Sequence, residues 1–74
     1  MLTVKKKRET EKELAHEDIY IDGLYIGYII KNKSQFRAVG ENWNFVPNKD
    51  SKAKPFYSST KKAMLETIYN IYSL

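Results

Sequence analysis

Hydrophobic and polar residues alternate along the middle of the chain, as they do in β-strands that bury one face. Between residues 19 and 30, two alternating runs flank the dipeptide Asp22-Gly23. Asp-Gly favours a two-residue type I′ turn, because both central residues of that turn need a positive φ. The pattern therefore predicts a β-hairpin. Its predicted cross-strand pairs are Ile21 with Leu24, Tyr20 with Tyr25, and Ile19 with Ile26.

Strict alternation would divide this hairpin into two faces. The face expected on the core carries six residues: Ile19, Ile21, Leu24, Ile26, Tyr28 and Ile30. The other face carries Tyr20, Tyr25 and Ile29. An antiparallel sheet covered on one side is expected to be polar on its open side, so the two tyrosines mark a candidate binding surface.

Further strands are expected after the hairpin. A third strand is predicted over residues 35–39, and residues 40–42 are either a second tight turn or a bulge. Residues 43–46 then resume the alternation until Pro47 stops it. Residues 56–57 can add a short extended segment, which gives an antiparallel meander of three or four strands.

The end of the chain has the spacing of an amphipathic helix that starts at Lys61. Met64, Ile68 and Ile71 recur at intervals that place them on one helix face. The residues just before the helix offer N-caps: Ser58, Ser59 and Thr60. The predicted fold is α+β, an antiparallel three- to four-stranded β-meander with one C-terminal helix packed on one face.

Residues 1–18 differ from the rest in composition. They hold five basic and five acidic residues, and their few apolar residues form no helical stripe. Segments of this kind bury too little apolar surface to fold alone. We therefore expect a flexible charged N-terminal arm over 1–18 and a single small domain over 19–74.

Composition narrows the class of protein further. The 74 residues are 42% hydrophobic, carry a formal net charge of +4 and include no cysteine. The missing thiols exclude disulfides and Cys-based zinc sites. The longest apolar run, residues 24–30, is far shorter than the ~20 residues that span a bilayer. No apolar segment follows the basic N-terminal residues, so we expect a cytoplasmic protein without a membrane partner.

Catalytic chemistry finds little support in the sequence. His16 is the only histidine, and it lies in the charged arm near Glu13 and Glu17. A flexible site of this kind would bind a metal weakly. The hydroxyl groups before the helix have no predicted base beside them and are explained as caps. We expect a protein that is not an enzyme and has no cofactor and no metal site.

Positive charge concentrates beside the start of the helix. Residues 47–62 carry five lysines and one aspartate, a local charge of +4 that equals the net charge of the chain. Free N–H groups at a helix start can hold a phosphate, and aromatic rings on a sheet can stack bases. The candidate binding residues are Tyr20, Tyr25, Arg37, Lys49, Lys52, Lys54, Lys61 and Lys62.

The order of hairpin, third strand, basic loop and closing helix resembles the arm-type DNA-binding domains of tyrosine recombinases. The likeness extends over residues 19–72 in outline. In sequence it lies in ten residues, where an aromatic residue precedes Ser/Thr, two lysines and an alanine: Lys54-Pro55-Phe56-Tyr57-Ser58-Ser59-Thr60-Lys61-Lys62-Ala63. The resemblance implies a three-stranded sheet that enters the major groove of DNA.

Three hypotheses follow for the function. The leading one is a binding module for nucleic acid, with DNA favoured over RNA, that uses the basic loop, the helix start and the aromatic sheet face. The alternative is a small phage or mobile-element protein that binds an acidic surface of a host protein and inhibits or modulates it. The third is a homodimer formed through an exposed strand edge.

Overall fold

The computed structural model describes residues 1–36, 38–49 and 53–72. Within them the chain forms five antiparallel strands and one C-terminal helix. These elements are β1 (Leu2–Lys7), β2 (His16–Ile21), β3 (Leu24–Lys31), β4 (Trp43–Pro47), β5 (Phe56–Ser58) and α1 (Lys61–Tyr72). Each strand pairs with the next, so the sheet order is β1-β2-β3-β4-β5. The predicted α+β meander is confirmed, with five strands in place of three or four.

β1 takes the place of the flexible arm that the composition predicts over 1–18. It pairs with β2 along its whole length, and residues 8–15 form the loop between the two strands. Leu2 and Val4 alternate with polar residues and pack against the core. The lysines that follow are typical of an exposed edge strand, where their charge discourages unwanted pairing. High charge was therefore compatible with a strand, and the folded region begins well before residue 19.

The β2–β3 hairpin has the predicted turn. Asp22 and Gly23 have φ values of 51° and 83°, the positive values that a type I′ turn needs. The two pairs next to the turn are also the predicted ones, Ile21 with Leu24 and Tyr20 with Tyr25. Turn chemistry was thus sufficient to set the register at this end of the hairpin.

A β-bulge in β3 changes the register beyond these pairs. Ile19 lies opposite Gly27 and not opposite Ile26, which becomes an extra residue on β3. Gly27 has a φ of 147°, and a Cβ at this position would lie 2.4 Å from the backbone oxygen of Val46. The bulge therefore requires glycine both for its backbone conformation and for its close contact with β4.

The bulge reverses the predicted faces over the second half of β3. Strict alternation places Ile29 on the open face, but the structure buries it completely. It places Tyr28 and Ile30 on the core, but both are only partly buried on the opposite face. One extra residue has this effect because the side chains of a strand alternate with a period of two.

The described residues of the predicted third strand, 35–36 and 38–39, belong to no strand, so that prediction is wrong. Asn32 Oδ1 accepts a hydrogen bond from the Ser34 N–H, and Ser34 Oγ accepts one from the Phe36 N–H. Local bonds of this kind compete with a sheet ladder for the backbone donors. Phe36 is 86% exposed, so the loop adds nothing to the core there. Of the turn and the bulge predicted as alternatives for 40–42, the structure has a turn that overlaps this segment. The Glu41 N–H donates a hydrogen bond of 3.1 Å to the Ala38 carbonyl oxygen.

α1 covers one face of the sheet and begins where the sequence predicts. Thr60 caps it, because Thr60 Oγ1 accepts a hydrogen bond of 3.1 Å from the Ala63 N–H. The described part of the core contains six buried hydrophobic residues: Ile19, Ile26, Ile29, Phe45, Met64 and Ile68. No helix in the described ranges has the length and apolar character to cross a bilayer.

An ion pair joins the first turn of α1 to β2. Lys61 Nζ lies 2.6 Å from Glu17 Oε1, and the Glu17 side chain is only 12% exposed. That oxygen has no other partner among the described residues. A buried carboxylate without a partner is costly, so Lys61 contributes to docking the helix start on the sheet.

Replacing Gly27 should destabilise the fold more than replacing the other hairpin glycine. Gly27→Ala introduces a Cβ into the backbone of β4, and we expect it to lower the free energy of unfolding by about 2 kcal/mol or more. Gly23→Ala is the matched control, because Gly23 also has a positive φ but has no atom within 4 Å of the added Cβ. Urea denaturation measures both. Equal losses would contradict a steric role for Gly27.

Removing the ammonium partner of Glu17 should also destabilise the fold. Lys61→Met leaves a nearly buried carboxylate unpaired, and we expect a loss of about 1–3 kcal/mol in the free energy of unfolding. Lys62→Met makes the same change at the next residue, which is exposed, and should change it by less than about 0.5 kcal/mol. Thermal and urea denaturation of both variants test the ion pair, and a loss no larger than that of the control would argue against it.

Candidate functional site on the open face of the sheet

The sheet face opposite α1, here called the open face, is covered by no helix or strand of the described residues. The strand register arranges its side chains in three rows that cross the sheet. The first row contains Lys7, His16, Ile30, Asn44 and Tyr57. The second contains Lys5, Asp18, Tyr28 and Val46. The third, next to the β2–β3 turn, contains Thr3, Tyr20 and Tyr25. With strands about 4.8 Å apart, the first row is about 19 Å long.

Aromatic side chains form the centre of the open face. The rings of Tyr20 and Tyr25 lie 5.5 Å apart between centroids at an angle of 59°. His16 meets Tyr28 edge to face, with 5.1 Å between centroids. Contacts of this kind fix the orientation of the rings. Tyr57, on the edge strand β5, is half exposed. The face therefore has both rings oriented by contacts with other rings and a ring accessible to a ligand.

Charged groups lie at one edge and in the middle of the open face. On β1, Lys5 Nζ lies 5.0 Å from the centroid of the Tyr20 ring, a cation–π contact. In the middle, Asp18 Oδ1 lies 3.4 Å from His16 Nε2. Burial raises the pKa of the Tyr25 phenol above its ordinary value of 10.0, and the charge of Asp18 raises it further. Tyr25 is therefore a neutral hydrogen-bonding group at physiological pH.

Two adjoining clefts follow the open face. The first, here called the end cleft, has a volume of about 660 Å³. Its lining contains the complete first row and Leu14 and Lys33 from the neighbouring loops. It continues around the end of the sheet, where Lys31 and Trp43 line it from the covered side. The second, the central cleft, has a volume of about 570 Å³ and contains Asp18, Tyr25 and Tyr28. Both clefts share four lining residues, Lys7, Leu14, His16 and Ile30, so together they form one trough.

The β1–β2 loop builds the wall of this trough. Its Thr10 Oγ1 accepts hydrogen bonds from the N–H groups of Lys12 and Glu13, which is a local turn that a hydroxyl residue can form without tertiary contacts. His16 Nδ1 lies 2.8 Å from the Leu14 carbonyl oxygen at the end of the loop. The loop therefore ends at the start of β2, and its last hydrogen bond orients the His16 ring toward the open face.

The structure separates the binding residues that the sequence predicts into two groups on opposite sides of the sheet. Tyr20 and Tyr25 lie on the open face as predicted. Lys61 and Lys62 lie at the start of α1, on the other side, and Lys61 is paired with Glu17. The helix-start lysines and the tyrosines therefore cannot contact one small ligand together.

Two of the predicted loop cations lie within the described residues. Lys49 follows β4 and Lys54 precedes β5, and both are exposed. Arg37 and Lys52 lie outside the described residues. Among those that are described, no group of three or more metal-ligating side chains could hold a metal ion.

The sequence pattern does not place several other residues on the open face. The composition predicts a flexible arm at Lys5 and Lys7, although the alternation of Leu2 and Val4 just before them is a strand signal. Tyr28 was assigned to the core, although a glycine inside an alternating run often marks a bulge. Nothing local identified Tyr57, because its face depends on the pairing of β5 with β4.

The raised pKa of Tyr25 predicts a loss of stability in alkali. Folded protein retains the phenolic proton at pH values where the unfolded chain has released it, so the free energy of unfolding falls as pH rises above about 10. The loss is at most about 1.4 kcal/mol per pH unit for one group. In Tyr25→Phe the decline should be shallower, as urea denaturation between about pH 9 and 11 would show. An identical decline in both proteins would contradict the assignment.

Comparison with protein-family models, with curated proteins and with solved structures finds no match for this chain or its fold. The resemblance to the arm-type DNA-binding domains thus gains no support from these comparisons. Any function proposed for the protein is carried by the geometry of the open face and its two clefts.

Proposed function

We propose that the protein is a non-enzymatic module that binds nucleic acid through the open face of its sheet. One observation carries the proposal, the cluster of aromatic rings that no helix or strand of the described residues covers, on a face that an antiparallel sheet normally keeps polar. Aromatic platforms of this kind stack on nucleobases, and each base contributes about 1–3 kcal/mol. The cytoplasmic location that the sequence predicts agrees with such a ligand.

Lysines at the rim of the open face supply contacts for phosphates. Lys5 and Lys7 lie on its β1 edge, and Lys31 and Lys33 lie at the end of β3 beside the end cleft. Lys5 and Lys7 replace the helix-start lysines in the binding hypothesis, because they share a face with the aromatic rings. Lys31 alternates to the covered side and Lys33 lies in the loop after β3, so these two reach the site only through the end cleft. DNA remains the first ligand to test and RNA the second.

A titration with oligonucleotides tests the proposal. We expect labelled DNA to bind at about 50 mM salt and to bind much more weakly at about 200 mM, because each phosphate contact releases a counterion. Lys7→Gln should lower the affinity and reduce the slope of log K against log salt by about 0.7–1. Fluorescence anisotropy measures both quantities.

Lys62→Gln is the matched control, since it removes the same charge from an exposed position on α1. It should leave the salt slope close to that of the unmodified protein. Equal effects of Lys7→Gln and Lys62→Gln on the affinity and the salt slope would contradict binding at the open face. Absence of binding to DNA and RNA at low salt would refute the proposal itself.

An acidic protein surface is the competing partner, because tyrosines are enriched at interface hot spots and the rim is basic. Capture of one stoichiometric protein after nuclease treatment, without affinity for oligonucleotides, would favour that hypothesis.

A homodimer through β1 would place two lysine-rich strands side by side, and their repulsion opposes that pairing. Sedimentation at two concentrations distinguishes a dimer from a monomer.

A further inference from the structure

The end cleft has the dimensions and lining of a pocket for a flat organic group. Its volume of about 660 Å³ lies within the ~300–1,000 Å³ that ligand pockets occupy. Ile30, Leu14 and Trp43 contribute apolar surface, and Tyr57 and His16 contribute rings. A nucleobase fits such a lining because it presents an apolar π face together with polar edges.

The charge around the end cleft fits a phosphate-bearing ligand. Four lysines line it: Lys6, Lys7, Lys31 and Lys33. The one carboxylate of the lining belongs to Glu17, which is already paired with Lys61. The apolar floor is therefore surrounded by cations whose charge no neighbouring acid of the cleft offsets.

The middle of the open face has the opposite character. Asp18 lies in the second row, and Glu13 lines the central cleft with it. A duplex presents its phosphates along both sides of every groove, so a sheet that enters a groove needs polar or cationic side chains across its face. Here the face carries Asp18, half-buried tyrosines and the apolar Ile30 and Val46, and Glu13 adds a second acid from the β1–β2 loop. A single strand avoids this conflict, because it can turn its bases toward the face and keep its phosphates at the rim.

These observations deepen the proposed function and rest on it. We infer that the open face binds single-stranded nucleic acid in preference to duplex, and that the end cleft holds one unpaired base. Tyr57 stacks on that base, and Lys7, Lys31 and Lys33, which line the same cleft, contact the adjoining phosphates. This ligand differs from the duplex that the arm-type resemblance implies.

The first experiment compares the two forms of the ligand. An oligonucleotide of about 12 nucleotides is titrated as a single strand and as a duplex with its complement, at the same salt, in DNA and RNA versions. We expect the single strand to bind at least about tenfold more tightly than the duplex in whichever chemistry binds. The DNA and RNA arms show which sugar the protein prefers.

The second experiment tests the end cleft with a matched pair of tyrosines. Tyr57 on the open face and Tyr69 on α1 are 50% and 46% exposed, so their truncation removes similar surface on opposite sides. Tyr57→Ser should weaken single-strand binding by about 5- to 150-fold, the range measured for the loss of one stacked base. Tyr57→Phe retains the ring and should stay within about twofold of the unmodified protein, as should Tyr69→Ser.

A third substitution shows that a loss of binding is not caused by misfolding. Lys33→Gln lies in an exposed loop position and should weaken single-strand binding and reduce its salt slope by about 0.7 without a change in unfolding temperature. A normal affinity and slope in this variant would remove Lys33 and its side of the end cleft from the site.

The possible failures can be told apart. If no oligonucleotide binds in either form, the proposed function is wrong. If the duplex binds as tightly as the single strand or more tightly, nucleic-acid binding stands and the single-strand inference is overturned. If Tyr57→Ser and Tyr69→Ser have equal effects on single-strand binding, the base does not occupy the end cleft.

Discussion

Ile26 and Gly27 together lie opposite one residue of β2, and the backbone of β4 approaches Gly27 so closely that no Cβ fits between them. This bulge decides which side chains of β3 enter the core. It places Ile26 and Ile29 on the same side of the sheet, where strict alternation would separate them. The packing of α1 and the composition of the open face both depend on that phase change.

The two faces of the sheet have different physical tasks as a result. The covered face buries aliphatic side chains, Phe45 and one nearly buried carboxylate against α1, and it accounts for the stability of a small chain. The open face holds rings that contact each other and remain partly accessible. The tilted contact between the rings of Tyr20 and Tyr25 stabilises the hairpin and also keeps both rings oriented.

Charge on this protein matters by its position more than by its sum. The net charge of +4 is carried on several elements, and one cation, Lys61, is used to compensate Glu17. Lysines on β1 protect an exposed edge and, because alternate residues face the same side, also supply cations to the open face. The same residues therefore serve both the solubility of the edge and the proposed contact with phosphates.

Local chemistry determined several features that can be derived from the sequence by itself. The Asp22-Gly23 turn, the first two hairpin pairs, the Thr60 cap and the helix stripe with Met64 and Ile68 all depend on residues close together in the chain. The helix and the α+β class follow from them, as does the exposure of Tyr20 and Tyr25 on one face. These features need no knowledge of distant partners, since propensity and periodicity act over a few residues.

Tertiary structure decided the rest, because it depends on pairing between distant segments. β1 becomes a strand only because β2 offers it a ladder, and Tyr57 joins the open face only through β4. A glycine inside an alternating run indicates a bulge, but the face on which Tyr28 lies also depends on the close approach of the β4 backbone to Gly27. The row from Lys7 to Tyr57 joins residues that are 50 positions apart in the chain, and long-range register alone brings its members together.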